Sequence, residues 1–247
     1  MRLTFCFMSE YTGILQKYWG YPSFRPLQEE IILSVAEGND TLGLMPTGGG
    51  KSITFQVYSL STEGICLVIT PLIALMKDQV ENLKKRGIKA LAVYSGMTRE
   101  EMKVTLDNAT WGDYKFLYLS PERVSTESFR ERLKNMKINL IAVDEAHCIS
   151  QWGYDFRPSY LKIAELRALL PGVKVMALTA TATEKVVDDI QDKLLFGSGF
   201  PYAKPDACIE MLLGFNKMLI NTNLPQVPRE KLRSIVERDT LTLLGLR

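Results

Sequence analysis

The sequence predicts an α/β fold on a parallel sheet, and three observations carry that prediction. The runs Ile-Cys-Leu-Val-Ile-Thr at 65–70 and Leu-Ile-Ala-Val at 140–143 are almost unbroken apolar stretches, as strands covered on both faces of a sheet must be. Amphipathic stretches separate such runs, and strand–helix alternation at this spacing returns each strand parallel to the last. The 247 residues are 46% apolar and 23% charged, an ordinary globular balance that excludes disordered, collagen-like and coiled-coil chains.

The elements follow in chain order. Pro26 opens a helix over 26–36, and Thr-Leu-Gly-Leu-Met makes a strand at 41–45. A glycine run then leads into a helix at 51–60. The apolar run 65–70 is a strand, followed by an amphipathic helix at 72–86. Ala-Leu-Ala-Val-Tyr at 90–94 and Phe-Leu-Tyr-Leu at 116–119 are strands on either side of a helix at 99–108. A long helix over 121–136 leads to the strand 140–143. Helix 159–170, strand 173–178 and helix 184–195 complete the alternation. At 197–201 the stretch Gly-Ser-Gly-Phe-Pro reads as a linker. Apolar residues recur at helical spacing over 207–220, and Pro228 opens a second helical pattern, so 197–247 is a short, mainly helical appendage. No internal repeat and no low-complexity segment interrupts the chain.

Charge and cysteine content narrow the setting. Lys and Arg number 30 against 28 acidic residues, a net +2, which leaves a local nucleic-acid patch open without arguing for one. No apolar run reaches the ~18 residues a membrane span requires. The first seven residues lack an h-region and a cleavage site, so no signal peptide is expected, and Met8 is an alternative start. Cys6, Cys66, Cys148 and Cys208 form no CxxC pair and His147 is the single histidine. The expectation is reduced thiols, no zinc, no membrane contact and a cytoplasmic location.

Two motifs carry chemistry. Residues 45–52, Met-Pro-Thr-Gly-Gly-Gly-Lys-Ser, follow a strand and open a helix, the setting of a phosphate-binding loop. Gly48, Gly49 and Gly50 let backbone N–H groups turn toward phosphate oxygens, with Thr47 beside them. Lys51 can reach the β- and γ-phosphates and the Ser52 hydroxyl can ligate Mg²⁺. Met45 stands where the general pattern has glycine. The second motif, 140–147, ends an apolar strand in Asp144, Glu145, Ala146 and His147. Ligands bind at such strand ends in open parallel sheets. Asp144 is placed to hold Mg²⁺, Glu145 to orient and deprotonate an attacking water, and His147 to couple two sites rather than bind metal.

With these motifs in place, residues 18 to 195 resemble a superfamily-two helicase core, and more narrowly the RecQ family of DNA helicases. The resemblance implies a RecA-like phosphate-loop domain over 18–196, preceded by an extension at 1–17 and followed by the 197–247 tail. Residues 20–28, Gly-Tyr-Pro-Ser-Phe-Arg-Pro-Leu-Gln, resemble the adenine-reading segment. By that match Tyr21 and Arg25 sandwich the base and Gln28 bonds its edge, where a carboxamide offers both donor and acceptor. Residues 70–79 and 119–123 resemble segments that contact the DNA backbone. Thr179-Ala-Thr181-Ala resembles the motif linking hydrolysis to strand movement.

The stretch 148–160, immediately after His147, carries the most family-specific resemblance. It implies an aromatic loop in which Gln151, Trp152, Tyr154, Phe156 and Arg157 meet single-stranded DNA by stacking and charge. Many relatives have His where this chain has Tyr154. Phe156 also reads as an apolar latch under the sheet. No segment after residue 195 resembles the Gln-x-x-Gly-Arg-x-x-Arg stretch of the family's second RecA-like domain, nor its cysteine-rich zinc region.

The implied activity is ATP-dependent 3′-to-5′ unwinding, by in-line attack of water on the γ-phosphate. ATP and Mg²⁺ are the implied cofactors, and single-stranded or partly duplex DNA is the partner. A second RecA-like domain in another chain is a further implied partner. Two alternatives stand beside this reading: a module that binds ATP and DNA without turnover, and an RNA helicase domain of DEAD-box type. His147, the Phe-Arg-Pro-Leu-Gln pattern at 24–28 and the aromatic loop argue against the second.

Overall fold

The computed structural model describes residues 2–152 and 155–195, so the tail and Tyr154 lie outside the described residues. Six strands form one sheet: β1 (Thr41–Leu44), β2 (Ile65–Ile69), β3 (Ala90–Val93), β4 (Phe116–Leu119), β5 (Ile138–Val143) and β6 (Val175–Thr179). Every pairing is parallel, in the order β1-β6-β5-β2-β4-β3.

The α-helices among the described residues are α1 (Arg2–Trp19), α2 (Gln28–Ala36), α3 (Lys51–Ser61), α4 (Ile73–Lys85), α5 (Arg99–Trp111), α6 (Glu127–Leu133), α7 (Ala164–Leu169) and α8 (Glu184–Ile190). None of them is long and apolar enough to cross a membrane.

The two-residue period of the strands divides the core. On β2, Ile65, Leu67 and Ile69 face one side, with Phe129 and Leu133 of α6, Leu166 of α7 and Val186 and Ile190 of α8. Cys66 and Val68 face the other, with Ile31 and Val35 of α2, Phe55 of α3, and Met76, Val80 and Leu83 of α4. Leu117, Leu119, Ile141 and Val143 repeat the first pattern, and Phe116, Tyr118, Leu140 and Ala142 the second. Unbroken apolar strands are thus the direct result of helices on both faces.

The strands lie within a few residues of their sequence-derived bounds; several helices do not. No helix was read before residue 26, yet α1 lies against the domain. Its Tyr11 and Leu15 are buried with Ile32 of α2 and Val57 of α3, adding a third layer on that face. The helix expected at 121–136 is a 3₁₀ turn, Pro121–Arg123, followed by α6, because Thr126 is extended. The helix expected at 159–170 is likewise split into a 3₁₀ segment, Pro158–Ile163, and α7. Helix α2 starts two residues late because Leu27 takes a left-handed backbone with φ 70°.

All six strands run the same way, so their C-terminal ends share one edge. The sheet order places the ends of β1, β6 and β5 side by side, and with them the loops that carry the two motifs.

Candidate nucleotide and DNA site

The glycine loop lies between β1 and α3. Its start is fixed to β6, where the Met45 N–H donates to the Thr179 carbonyl at 3.0 Å, and Gly49 N–H closes a turn on Pro46 O at 2.9 Å. Gly50 caps α3 with φ 79°, a left-handed conformation that suits glycine. A side chain there would also collide with Gln28, whose Nε2 would be 2.4 Å from an added Cβ.

Gln28 is buried beneath this loop. Its Nε2 donates to Gly49 O at 3.2 Å and Gly50 O at 3.0 Å, and its Oε1 accepts from Arg25 N–H at 2.9 Å. Both carboxamide hydrogens are therefore engaged by the loop, and a base edge can meet only the second lone pair of Oε1. Arg25 reaches the same loop, its Nη1 donating to Gly48 O at 2.7 Å. Tyr21 is exposed on the preceding segment, and Thr47 and Gly48 are exposed at the loop tip.

Asp144 and Glu145 follow β5 directly. The Asp144 carboxyl is buried, and its Oδ1 accepts the Glu145 N–H at 3.0 Å. Burial pushes its pKa up to about 6; the Glu145 charge adds to this, while the Glu145 N–H and the Lys51 ammonium oppose it. Lys51 at the start of α3 and Asp144 at the end of β5 are thus near enough to interact. Glu145 has φ 50°, one of two positive-φ non-glycine residues among those described. Such a conformation costs ~1–3 kcal/mol and concentrates at functional sites. Tyr160, wholly buried, donates its hydroxyl to Asp144 O at 2.9 Å and anchors the turn from behind.

His147 joins two strand ends. Its Nδ1 is 2.9 Å from Thr179 Oγ1 and 3.3 Å from Glu145 Oε2. Thr179 Oγ1 donates its one hydrogen to Thr181 O at 3.1 Å, which leaves the oxygen to accept from Nδ1–H. The Thr181 N–H returns a bond to Thr179 Oγ1 at 3.3 Å. Glu145, His147, Thr179 and Thr181 therefore form one connected chain.

The family is now decided by sequence as well. The pattern of the DEAD/DEAH box helicase family matches residues 25–190. The chain belongs to the DEAD/DEAH box helicases. Among curated relatives, the RecQ ATP-dependent DNA helicase of Haemophilus influenzae is 46% identical over 178 residues, covering 72% of this chain and 29% of its own length. That of Bacillus subtilis is 48% identical over 184 residues, covering 74% and 31%. A Caenorhabditis elegans relative bearing a Q1 DNA-helicase name aligns over 98% of this chain at 34% identity, and over 39% of its own length. The chain thus spans well under half the length of these relatives. Among solved structures, the helicase Lhr of Mycobacterium smegmatis, bound to single-stranded DNA and AMP-PNP, matches 94% of this chain and 36% of its own, with TM-score 0.57 and 15% identity. A likeness at that identity is one of fold.

In this DEAD/DEAH box domain the aromatic loop is tied to α8. Ser150 Oγ donates to Asp189 Oδ2 at 2.6 Å and accepts the Trp152 N–H at 3.1 Å. The Trp152 ring is 66% exposed, and Lys185 Nζ lies 4.6 Å from its centroid. Gln151 is exposed and Phe156 half-buried. Arg157 pairs with Asp155 at 2.8 Å and points Nη1 at Pro71 O, 3.5 Å away, beside the 70–79 segment.

Sequence reasoning missed Tyr160, Lys185, Asp189 and the polar pair Gln56 and Tyr118. A tyrosine inside the aliphatic run 116–119 was the one signal for the last of these, since a buried phenol needs a partner.

Proposed function

We propose that this chain carries the first motor domain of a RecQ-type ATP-dependent DNA helicase, extending over about 18–196 with α1 packed beside it, and that it hydrolyses ATP in response to single-stranded DNA. The observation that carries the reading is the shared strand edge. There the Lys51 ammonium acts on the buried Asp144 carboxyl, and the bonded pair His147–Thr179 connects Glu145 to the 179–182 motif.

Lys51 balances charge on the β- and γ-phosphates, and the N–H groups of Gly48 and Gly50 supply donors around them, joined by that of Gly49 if it leaves Pro46 O. Tyr21 and Arg25 flank the adenine, with Arg25 leaving Gly48 O to do so. The second lone pair of Gln28 Oε1 accepts from the exocyclic amine of adenine, where guanine presents an acceptor. Glu145 takes the proton of the attacking water, and its strained backbone fixes where that carboxylate points.

The donor set fits a hard divalent cation. Ser52 offers a hydroxyl oxygen, and Asp144 a buried carboxylate whose charge is opposed only in part by Lys51. When bound, Mg²⁺ would supply charge stabilisation at the β- and γ-oxygens. DNA contact belongs to Gln151, Trp152, Tyr154, Phe156 and Arg157, with Trp152 the exposed stacking surface. Unwinding polarity of 3′ to 5′, and completion of the site by a second RecA-like domain, whether in cis or in another chain, are part of the same reading.

The test is ATP turnover by the purified protein with and without oligo-dT. The expected result is measurable turnover raised by DNA and abolished in Glu145→Gln, with binding retained. Binding of both ligands without Glu145-dependent turnover would favour the non-catalytic module instead.

A further inference from the structure

A line of side-chain hydrogen bonds runs from the interior of the domain to the nucleotide loop. Gln56 Nε2 on α3 donates to the Tyr118 hydroxyl on β4 at 3.2 Å. That hydroxyl donates its only hydrogen to Gln79 Oε1 on α4 at 2.8 Å. Gln79 Nε2 then donates to Ser52 Oγ at 3.2 Å. Each link fixes the next. The carboxamide of Gln79 has one acceptor end and one donor end, and because Tyr118 holds the acceptor end, the donor end faces Ser52. Tyr118 and Gln56 are buried, so this orientation is set inside the core rather than by solvent.

The consequence falls on the Ser52 hydroxyl. An oxygen that accepts from Gln79 has one lone pair left and keeps its hydrogen for another partner. A metal-ligating serine needs that arrangement: a lone pair for the cation, and a hydrogen directed away from it. We propose that Gln79 is a positioning residue for the metal end of the nucleotide site, holding Ser52 in its ligating orientation through the Gln56–Tyr118–Gln79 line. The proposal rests on the phosphate-loop reading above. It also gives Gln79 a task distinct from DNA-backbone contact, although it lies in the 70–79 segment.

A purely structural account is available, in which the line merely satisfies a buried phenol. The two differ in what they predict for metal. The experiment titrates binding of a fluorescent ATP analogue to the full chain with MgCl₂, and separately in EDTA, with thermal melts of each variant. Removing the partner that orients a metal ligand typically costs ~10–100-fold in metal affinity. Gln79→Leu should therefore raise the half-effective Mg²⁺ concentration about tenfold or more, and leave nucleotide affinity in EDTA within about twofold. Gln79→Met keeps the length, adds no charge and has no donor for Ser52, so it should shift the Mg²⁺ midpoint in the same direction. It also serves if Gln79→Leu fails to fold. Tyr118→Phe should give a smaller shift, and the double variant with Gln79→Leu should be no worse than Gln79→Leu alone.

An unchanged Mg²⁺ midpoint in a folded Gln79→Met or Gln79→Leu variant would overturn the proposal. So would an equal loss of affinity with and without metal. If the parent chain binds no nucleotide in either condition, the phosphate-loop reading fails, and this inference with it.

Discussion

Single residues at the nucleotide edge make the sharpest predictions. Lys51→Ala should weaken binding of a fluorescent ATP analogue strongly, because the phosphates would lose the cation proposed to balance them. Gln28→Ala should weaken ATP more than GTP by about 1–3 kcal/mol, since a base-edge hydrogen bond is lost with the correct base only; competition titrations measure it, and an equal loss would leave Gln28 only its support of the loop. Asp144 predicts a pH effect. Its folded-state pKa of about 6 lies above the ordinary 3.8, so the protonated form is favoured by folding. That contribution is full below the ordinary value and is lost as pH rises through about 6. Without metal or nucleotide, Asp144→Asn should be more stable than the parent at pH 7 by about 1–3 kcal/mol, with the gap closing toward pH 4. Melts across that range check it. The sequence named Lys51, Ser52, Asp144 and Glu145 because their chemistry is local to a strand–loop–helix motif. It could not show Gln28 beneath the loop, since that contact joins residues 21 and 22 positions apart.

At the scale of elements, buried strands were readable and helix ends were not. A strand covered on both faces must be apolar throughout, so 65–69 and 140–143 announce themselves. Helix 121–136 was read too long because Val124, Phe129 and Leu133 keep near-helical spacing across an extended Thr126. Helix α1 escaped notice because only two of its described residues, Tyr11 and Leu15, are fully buried. One boundary was sharper than its reading. Thr98 caps α5 with a full capping box, its hydroxyl accepting Glu101 N–H at 3.2 Å while Glu101 accepts Thr98 N–H at 2.8 Å. Thr98→Ala should cost about 1 kcal/mol in chemical denaturation with no change in nucleotide affinity. The aromatic loop makes an opposite prediction: Trp152→Ala should leave stability nearly unchanged, because the ring is exposed, and reduce single-stranded DNA affinity by about 1–3 kcal/mol per unstacked base. Fluorescence anisotropy with oligo-dT measures it.

For the whole molecule, the topology was legible as a class but not as an order. Alternating strands and helices imply parallel pairing. The sequence does not say that β6 inserts between β1 and β5, and that insertion brings Thr179 to His147. The last prediction concerns these 247 residues assayed on their own. They cover 29% and 31% of two RecQ relatives, and none of them resembles the arginine-bearing stretch of a second motor domain. In phosphoryl transfer such an arginine is worth ~10³–10⁵ in rate. The 247-residue chain alone should therefore bind ATP and single-stranded DNA, turn ATP over slowly, and fail to displace a strand from a 3′-tailed duplex. Strand displacement by monomeric protein would contradict this, and displacement only at high concentration would indicate an arginine supplied by a second copy.

The chain holds a single histidine, and it stands at the junction of Glu145 and Thr179. A nitrogen-15 spectrum of this protein therefore contains the imidazole resonances of one ring only, with no assignment to make. Nδ1–H bonded to a hydroxyl and a carboxylate gives a defined tautomer, and any event that draws Glu145 toward a nucleotide or moves Thr179 must change those two resonances. An unmodified sample thus carries its own reporter, able to follow ATP and DNA arriving in either order, where most enzymes of this size would need an introduced label.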